Sequence, residues 1–119
     1  MAKISATYSE EIIDIVKNDT PFVALFNGDP QNGGTELAGA GYERKAVTFG
    51  AFSNGEVSND AEIRWTNLPA GTINHIAIYS AASGGTLRPS GPTSSETGLS
   101  SGDEYFMVAG NLTLSASGA

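Results

Sequence analysis

Residues 61–86 read AEIRWTNLPAGTINHIAIYSAASGGT, and the rest of the chain is organised around this stretch. Its first part alternates Ile63 and Trp65 with polar residues, which predicts a strand with the tryptophan on its buried face. Its second part, residues 72–80, has apolar residues on both faces, a pattern typical of a central strand that is covered on both sides. The proline and glycine of residues 68–71 predict a turn between the two strands.

Upstream of this stretch, two further strands are predicted on either side of a loop. The apolar run FVALF at residues 22–26 indicates a buried strand. Residues 31–41 contain four glycines and almost nothing to bury, which predicts an exposed loop. Residues 42–52 then predict a strand, and residues 56–58 a short one.

Downstream, the composition changes to serine, glycine and proline. Residues 89–103 predict a loop that could hold a short edge strand near residues 94–97. Residues 104–109 and 111–115 predict the last two strands.

The helix that the sequence predicts lies at the N-terminus, at residues 8–18. Its apolar residues are spaced along one stripe: Tyr8, Ile12, Ile15 and Val16. A helix of about three turns is marginal in water without packing. We therefore expect the stripe to contact either the β-domain or a neighbouring subunit.

These elements predict a mainly β fold: an antiparallel β-sandwich, jelly-roll-like or Ig-like, of about seven to eight short strands with one short N-terminal α-helix. With 119 residues the chain is expected to form a single domain. We assign residues 1–20 to the N-terminal helical segment, 21–116 to the β-sandwich and 117–119 to a frayed tail.

Composition excludes several classes of partner and site. A formal net charge of −7 with only six basic residues argues against nucleic acid and anionic membranes as partners. The chain has no cysteine, so disulfides and zinc–thiolate sites are excluded. No apolar run approaches the roughly 18 residues of a membrane span, and the first residues do not form a conventional export signal.

One motif suggests hydrolysis. Residues 98–102, GLSSG, match the G-x-S-x-G pattern with Ser100 as the nucleophile, and its base would have to be His75, the only histidine. The motif needs a strand before it and a helix after it, whereas here a Ser/Gly loop precedes a strand. We therefore expect a flexible loop at Ser100, a structural role for His75, and no enzymatic activity.

The side-chain oxygens of Asn27, Asp29 and Asn32 could hold calcium. Asparagine and aspartate beside glycine and proline are also what turns require, and the spacing fits no known ligand loop, so turn chemistry is favoured. We predict no metal and no cofactor. The aromatic residues expected at a contact surface are Tyr8, Tyr42 and Phe52.

Four segments occur in a recognisable order. They read NGDP at 27–30, GYERKAVTFGA at 41–51, TINHIAIYSAASGG at 72–85 and AGNLTLS at 109–115. Over residues 22–115 the chain resembles small structural proteins of tailed bacteriophages, of the tail fibre, minor structural or capsid decoration type.

The resemblance implies a non-enzymatic virion structural protein, made in the bacterial host cytoplasm, that decorates or cements the capsid or forms part of the tail. It would act through contacts with major capsid or tail proteins and form a homo-oligomer. Residues Tyr8, Ile12, Ile15 and Tyr42 are the predicted partner contacts.

Two alternatives stay open at this point. The first is a tail-fibre module that binds a host surface receptor or carbohydrate through residues 31–41 and 89–103. The second, less favoured, is a small serine hydrolase that uses Ser100 and His75.

Overall fold

In a computed structural model the described residues are 2–5, 21–51 and 56–115. They form ten β-strands and one short 3-10 helix, Pro30–Asn32. The strands are β1 (Ala2–Ser5), β2 (Phe22–Asn27), β3 (Thr35–Glu36), β4 (Lys45–Ala46), β5 (Glu56–Ser58), β6 (Ile63–Leu68), β7 (Gly71–Tyr79), β8 (Leu87–Leu99), β9 (Asp103–Met107) and β10 (Leu112–Ser115). In this part of the chain no helix is long and apolar enough to cross a membrane.

The strands pair in three sheets. The largest has the order β3-β2-β7-β8, and β4 pairs with the start of β2 on the same edge as β3. A second sheet has the order β1-β10-β5, and β6 and β9 form a two-stranded third. Pairing is antiparallel throughout these sheets except between β1 and β10, which run parallel.

Strands β6 to β9 are the two arms of one long hairpin. Its first arm is β6 followed by β7, its second is β8 followed by β9, and residues 80–86 form its tip. Four pairs mark the ends of the two paired regions: Tyr79–Leu87, Gly71–Leu99, Leu68–Asp103 and Ile63–Met107. Between these two paired regions, residues 69–70 of the first arm lie opposite residues 100–102 of the second. At this point the hairpin passes from the largest sheet, which contains β7 and β8, into the sheet formed by β6 and β9.

A register shift in β6 keeps its apolar side chains on one face. Thr66 and Asn67 together oppose Glu104, so the first arm carries one extra residue at this point. Asn67 adopts a left-handed backbone with φ of 54°. Trp65 and Leu68 are both fully buried in consequence, although simple alternation would place residues three apart on opposite faces.

A second register shift places extra residues in β8, where residues 93–96 lie opposite Asn74 alone. The register with β8 changes between Ile73 and His75, and Ile73 and Ile76 are both fully buried in the same cluster. Ala77 is also fully buried but belongs to a separate cluster with Ala24 and Phe26. The prediction of a central strand covered on both sides is confirmed, since β7 lies between β2 and β8 and buries residues on both faces.

All three sheets contribute to one core. Trp65 is fully buried, and its indole N–H donates to the carbonyl oxygen of Glu43 at 2.9 Å, which satisfies its polar atom. The core cluster comprises Val23, Leu25, Leu37, Val47, Val57, Ile63, Trp65, Leu68, Ile73, Ile76, Ile78, Leu99, Met107, Leu112 and Leu114. The prediction of a mainly β, antiparallel sandwich is therefore confirmed. The predicted helix at residues 8–18 lies outside the described residues.

The predicted strand at residues 42–52 is largely wrong. Only Lys45–Ala46 forms a strand, on the edge of β2. The chain then leaves that edge: the Val47 N–H still donates to Pro21, but the Thr48 carbonyl accepts from Asp60 near the second sheet. Residues 45–50 thus cross from one sheet to another and cannot continue one ladder.

The two predicted loops are also partly ordered as strands. Residues 31–41 include β3, and Leu37 within this stretch is buried in the core. Residues 89–103 lie mostly in β8, whose thirteen residues span Leu87–Leu99. Strand β8 ends its sheet, and proline is tolerated on an edge because the missing N–H is not needed by a second neighbour.

The contact between Gly41 and Asn67 yields a testable prediction. Gly41 has a φ of 92°, and a Cβ there would lie 1.9 Å from the Asn67 carbonyl oxygen. Gly41→Ala should lower the free energy of unfolding by more than about 2 kcal/mol, since it adds a clash to the left-handed strain of about 1–2 kcal/mol. Urea denaturation measures this value.

Gly102→Ala is the matched control. Its φ is 93°, but a Cβ there would meet no atom within 4 Å, so only the backbone strain is expected. Equal losses in the two variants would contradict the close approach of residue 41 to Asn67.

Candidate functional site

The densest group of polar contacts in the described residues joins Glu36, Tyr42 and Arg44 to the hairpin tip, and we call it the Arg44 cluster. The Arg44 guanidinium binds the Glu36 carboxylate through Nε at 2.9 Å and Nη2 at 3.0 Å. Its Nη1 donates to the carbonyl oxygens of Ala81 at 3.1 Å and Gly84 at 2.8 Å. One side chain thus ties β3, the segment before β4 and the hairpin tip together.

Tyr42 completes the cluster from the core side. Its hydroxyl donates to Glu36 at 2.6 Å and accepts the N–H of Leu25 at 3.1 Å. The Tyr42 ring packs against the core. Tyr42 is therefore held by both the core and the cluster.

An aromatic stack lies on the other side of the guanidinium. The Arg44 Cζ atom lies 3.8 Å from the centre of the Tyr79 ring, a cation–π contact. Tyr79 in turn stacks on Phe26 with ring centres 6.3 Å apart. The cation of Arg44 is thereby shielded on one face and hydrogen-bonded at its edge.

These contacts change the acid–base behaviour of the two acidic groups. Burial alone would raise the pKa of Glu36, but the hydrogen bonds from Arg44 and Tyr42 outweigh it and hold the pKa below its ordinary value. Burial, and then the hydrogen bond to the Glu36 carboxylate, raises the pKa of Tyr42. Glu36 is thus the charged partner and Tyr42 a neutral donor.

A cavity of about 480 Å³ adjoins the cluster and is lined by Glu36, Tyr42, Arg44 and residues of the hairpin tip. Four of the five N–H groups of Arg44 already bind partners within the protein. The cluster is therefore built to hold chain segments together and leaves little donor capacity for an anionic ligand.

Ser100 and His75, the candidate nucleophile and base, are not brought together. Ser100 follows Leu99, which pairs with Gly71, whereas His75 pairs with Pro92. Gly71 and His75 are four positions apart along β7, which corresponds to about 13 Å at the rise of a strand. The Nδ1 atom of His75 bonds the side-chain oxygen of its neighbour Asn74 at 2.8 Å.

The candidate calcium ligands serve a turn. Asp29 accepts from the Gln31 N–H and the Asn32 side chain, both at 2.9 Å, and these bonds lower its pKa. Asn27 accepts from the Asn74 side chain at 3.1 Å. Within the described ranges, no group of three or more acidic or histidine side chains is placed to hold a metal.

A second feature is an exposed surface on the third sheet. Phe106 and Val108 are the exposed large hydrophobic residues of the described chain, at 50% and 44% exposure. Arg64 lies over the Phe106 ring at 4.5 Å and pairs with Glu62 and Glu104. We call these five residues the β9 face. The β9 face was not predicted from the sequence. A signal was present, because Glu104, Phe106 and Val108 occupy alternate positions and the charge of Glu104 indicates that these positions face solvent.

A comparison with protein families decides what this chain is. A family profile described as "Podophage GP4 fiber I protein gp80" matches residues 3–115. The chain belongs to this fibre family. A comparison with curated proteins found no match.

Membership of the fibre family confirms the predicted resemblance to structural proteins of tailed bacteriophages and makes the protein a virion component. The match begins at residue 3, well before residue 22, where the predicted resemblance begins. The family thus includes the N-terminal segment.

The predicted partner contacts of this fibre protein are only partly located. Tyr42 lies in the Arg44 cluster, where its hydroxyl is occupied. Tyr8, Ile12 and Ile15 lie outside the described residues, as does Phe52. Their role in partner contact stays a prediction.

The Arg44 cluster yields a prediction about acid stability. The pKa of folded Glu36 lies below its ordinary value of 4.5, so the ionised carboxylate stabilises the fold fully above that pH. This stabilisation is lost as the pH falls through the folded-state pKa. Glu36→Gln should lower the free energy of unfolding by about 1–3 kcal/mol near neutral pH. As the pH falls, the free energy of unfolding of this variant should decrease less steeply than that of the wild type.

Urea denaturation from about pH 7 to about pH 3 tests this expectation. Glu43→Gln is the matched control, because Glu43 is exposed and pairs only with Lys45 in the described contacts, at 3.1 Å. Parallel pH profiles for the wild type and Glu36→Gln would contradict the stabilising role of this carboxylate.

Proposed function

We propose that the protein is a structural subunit of the fibre on the phage tail and acts through protein–protein contacts. The observation that carries this proposal is the match to a fibre family along residues 3–115. A role on the capsid is the competing assignment within the same class of virion proteins.

The use of polar side chains supports a structural role. The charged groups of the Arg44 cluster bind each other and backbone carbonyls across three segments of the chain. Ser100 and His75 lie apart along the hairpin. We therefore propose that the protein has no enzymatic activity.

We also propose that the chain acts as a single unit and forms a homo-oligomer. One core cluster draws residues from Val23 to Leu114, which supports a single β-domain. A small domain without cysteine gains stability from neighbouring subunits, and a virion supplies repeated neighbours.

The receptor-binding alternative finds little support in its proposed contact segments. Residues 31–41 and 89–103 contain no aromatic residue on which a sugar ring could stack. Much of the second segment is committed to pairing with β7. We therefore favour a structural role over receptor binding for this chain.

Location in the particle is the decisive test. Purified virions are separated into heads and tails, and each fraction is probed with an antibody against the protein. We expect the protein in the tail fraction at a fixed number of copies per particle. Recovery with heads at a fixed ratio would overturn the fibre assignment in favour of capsid decoration.

The predicted helix at residues 8–18 gives a second test. Ile12→Asp places a charge in its apolar stripe and should lower either the melting temperature or the mass of the oligomer in solution. Glu11→Gln, on the predicted exposed arc, is the control and should leave both unchanged. Unaltered melting and assembly of Ile12→Asp would refute a contact through this stripe.

A further inference from the structure

Strand β9 offers an open edge. In the described part of the chain it pairs with β6 on one side only, and β6–β9 is a sheet of two strands. The second edge of such a strand presents backbone N–H and C=O groups that can pair with another strand. Strand β8, which continues into β9 along the same arm, lies close to β1.

The side chains beside this edge are unusually apolar for the protein surface. Phe106, within β9, and Val108, just after its end, are 50% and 44% exposed. Alternate side chains of an added strand would lie next to them. Such an arrangement is what recognition by strand addition requires: main-chain bonds supply affinity, and alternate side chains supply specificity.

The charge around these two side chains is acidic. Arg64 binds Glu62 through Nε at 3.1 Å and also pairs with Glu104, so one cation is shared between two carboxylates. Asp60 and Asp103 are exposed nearby in sequence. A partner with basic side chains would therefore complement the β9 face.

We propose that the open edge of β9 binds an extended segment of another virion protein that presents apolar residues and Lys or Arg together on one face, at every second position. This inference rests on the proposed function, since it takes the partner to be a neighbour in the fibre. The apolar residues would contact Phe106 and Val108, and the basic residues of the same face would pair with Glu104.

A second copy of the chain fits this surface less well. Each copy carries a formal charge of −7, and the β9 face itself has more carboxylates than cations. The strand is about 17 Å long at the usual rise, enough for one added strand. A stable globular dimer usually buries about 1,200–2,000 Å² in total, more than two exposed apolar side chains supply.

Photo-crosslinking in assembled particles tests the proposal. Phe106 is replaced by the photoreactive analogue benzoylphenylalanine, phage carrying this protein are purified and irradiated, and the linked peptides are identified by mass spectrometry. Ala82, an exposed residue of the hairpin tip, is the matched control position. We expect a link from position 106 to a segment of a different virion protein with apolar and basic residues at every second position, and no such link from position 82.

Each other outcome overturns the proposal. A link from position 106 to another copy of this chain would make the β9 face a homotypic interface. A link to an acidic or uncharged segment would contradict the charge argument, and no link in particles that contain the protein would mean that the face stays free. The test is separate from the location experiment: a link to a basic segment in head fractions would keep the docking proposal and overturn the fibre assignment.

Two surface variants measure the contribution of the face. Phe106→Ser should reduce the copies incorporated per particle by about tenfold, as expected when a central aromatic contact is lost. Glu104→Lys should also reduce incorporation, whereas Glu43→Lys, at another exposed carboxylate, should not. Melting curves check that all three variants fold, and normal incorporation of folded Phe106→Ser would refute the docking role.

Discussion

The fold depends on one constraint: both arms of a long hairpin must bury their apolar side chains in the same core while the hairpin passes from one sheet to another. Simple alternation fails at this passage, because it would direct Leu68 or Ile73 toward solvent. A register shift next to Trp65 restores the inward direction of Leu68, and a second shift, next to His75, places extra residues in β8. Strands β2, β5 and β10 pack their own apolar residues around this hairpin.

The Arg44 cluster secures the far end of the same hairpin. Its guanidinium binds two carbonyl oxygens of the tip and is itself held by Glu36 and Tyr42. The backbone of Glu43, between these residues, accepts the indole N–H of Trp65. The segment GYERKAV, one of the motifs by which the chain resembles phage structural proteins, is thus the segment that fastens the hairpin to the rest of the domain.

The Arg44 cluster and the β9 face use their side chains in different ways. The Arg44 cluster uses its charged groups inside the molecule, where they bind chain segments. The β9 face instead leaves Phe106 and Val108 exposed beside a strand that pairs, among the described strands, with β6 alone. Membership of the fibre family connects these features to a virion.

The sequence by itself determined the β class, the burial of Trp65, the two strands of the organising stretch and the resemblance to phage structural proteins, because these depend on local alternation and on motifs. Only the tertiary structure decided that residues 89–99 are a strand, that Leu37 is buried and that residues 45–50 cross between sheets. Serine, glycine and proline favour loops locally. A neighbouring strand such as β7 can nevertheless pair with such a segment, because the pairing uses backbone N–H and C=O groups and not side chains. The partners of Arg44 were equally hidden, since hydrogen bonds between distant segments leave no trace in local periodicity.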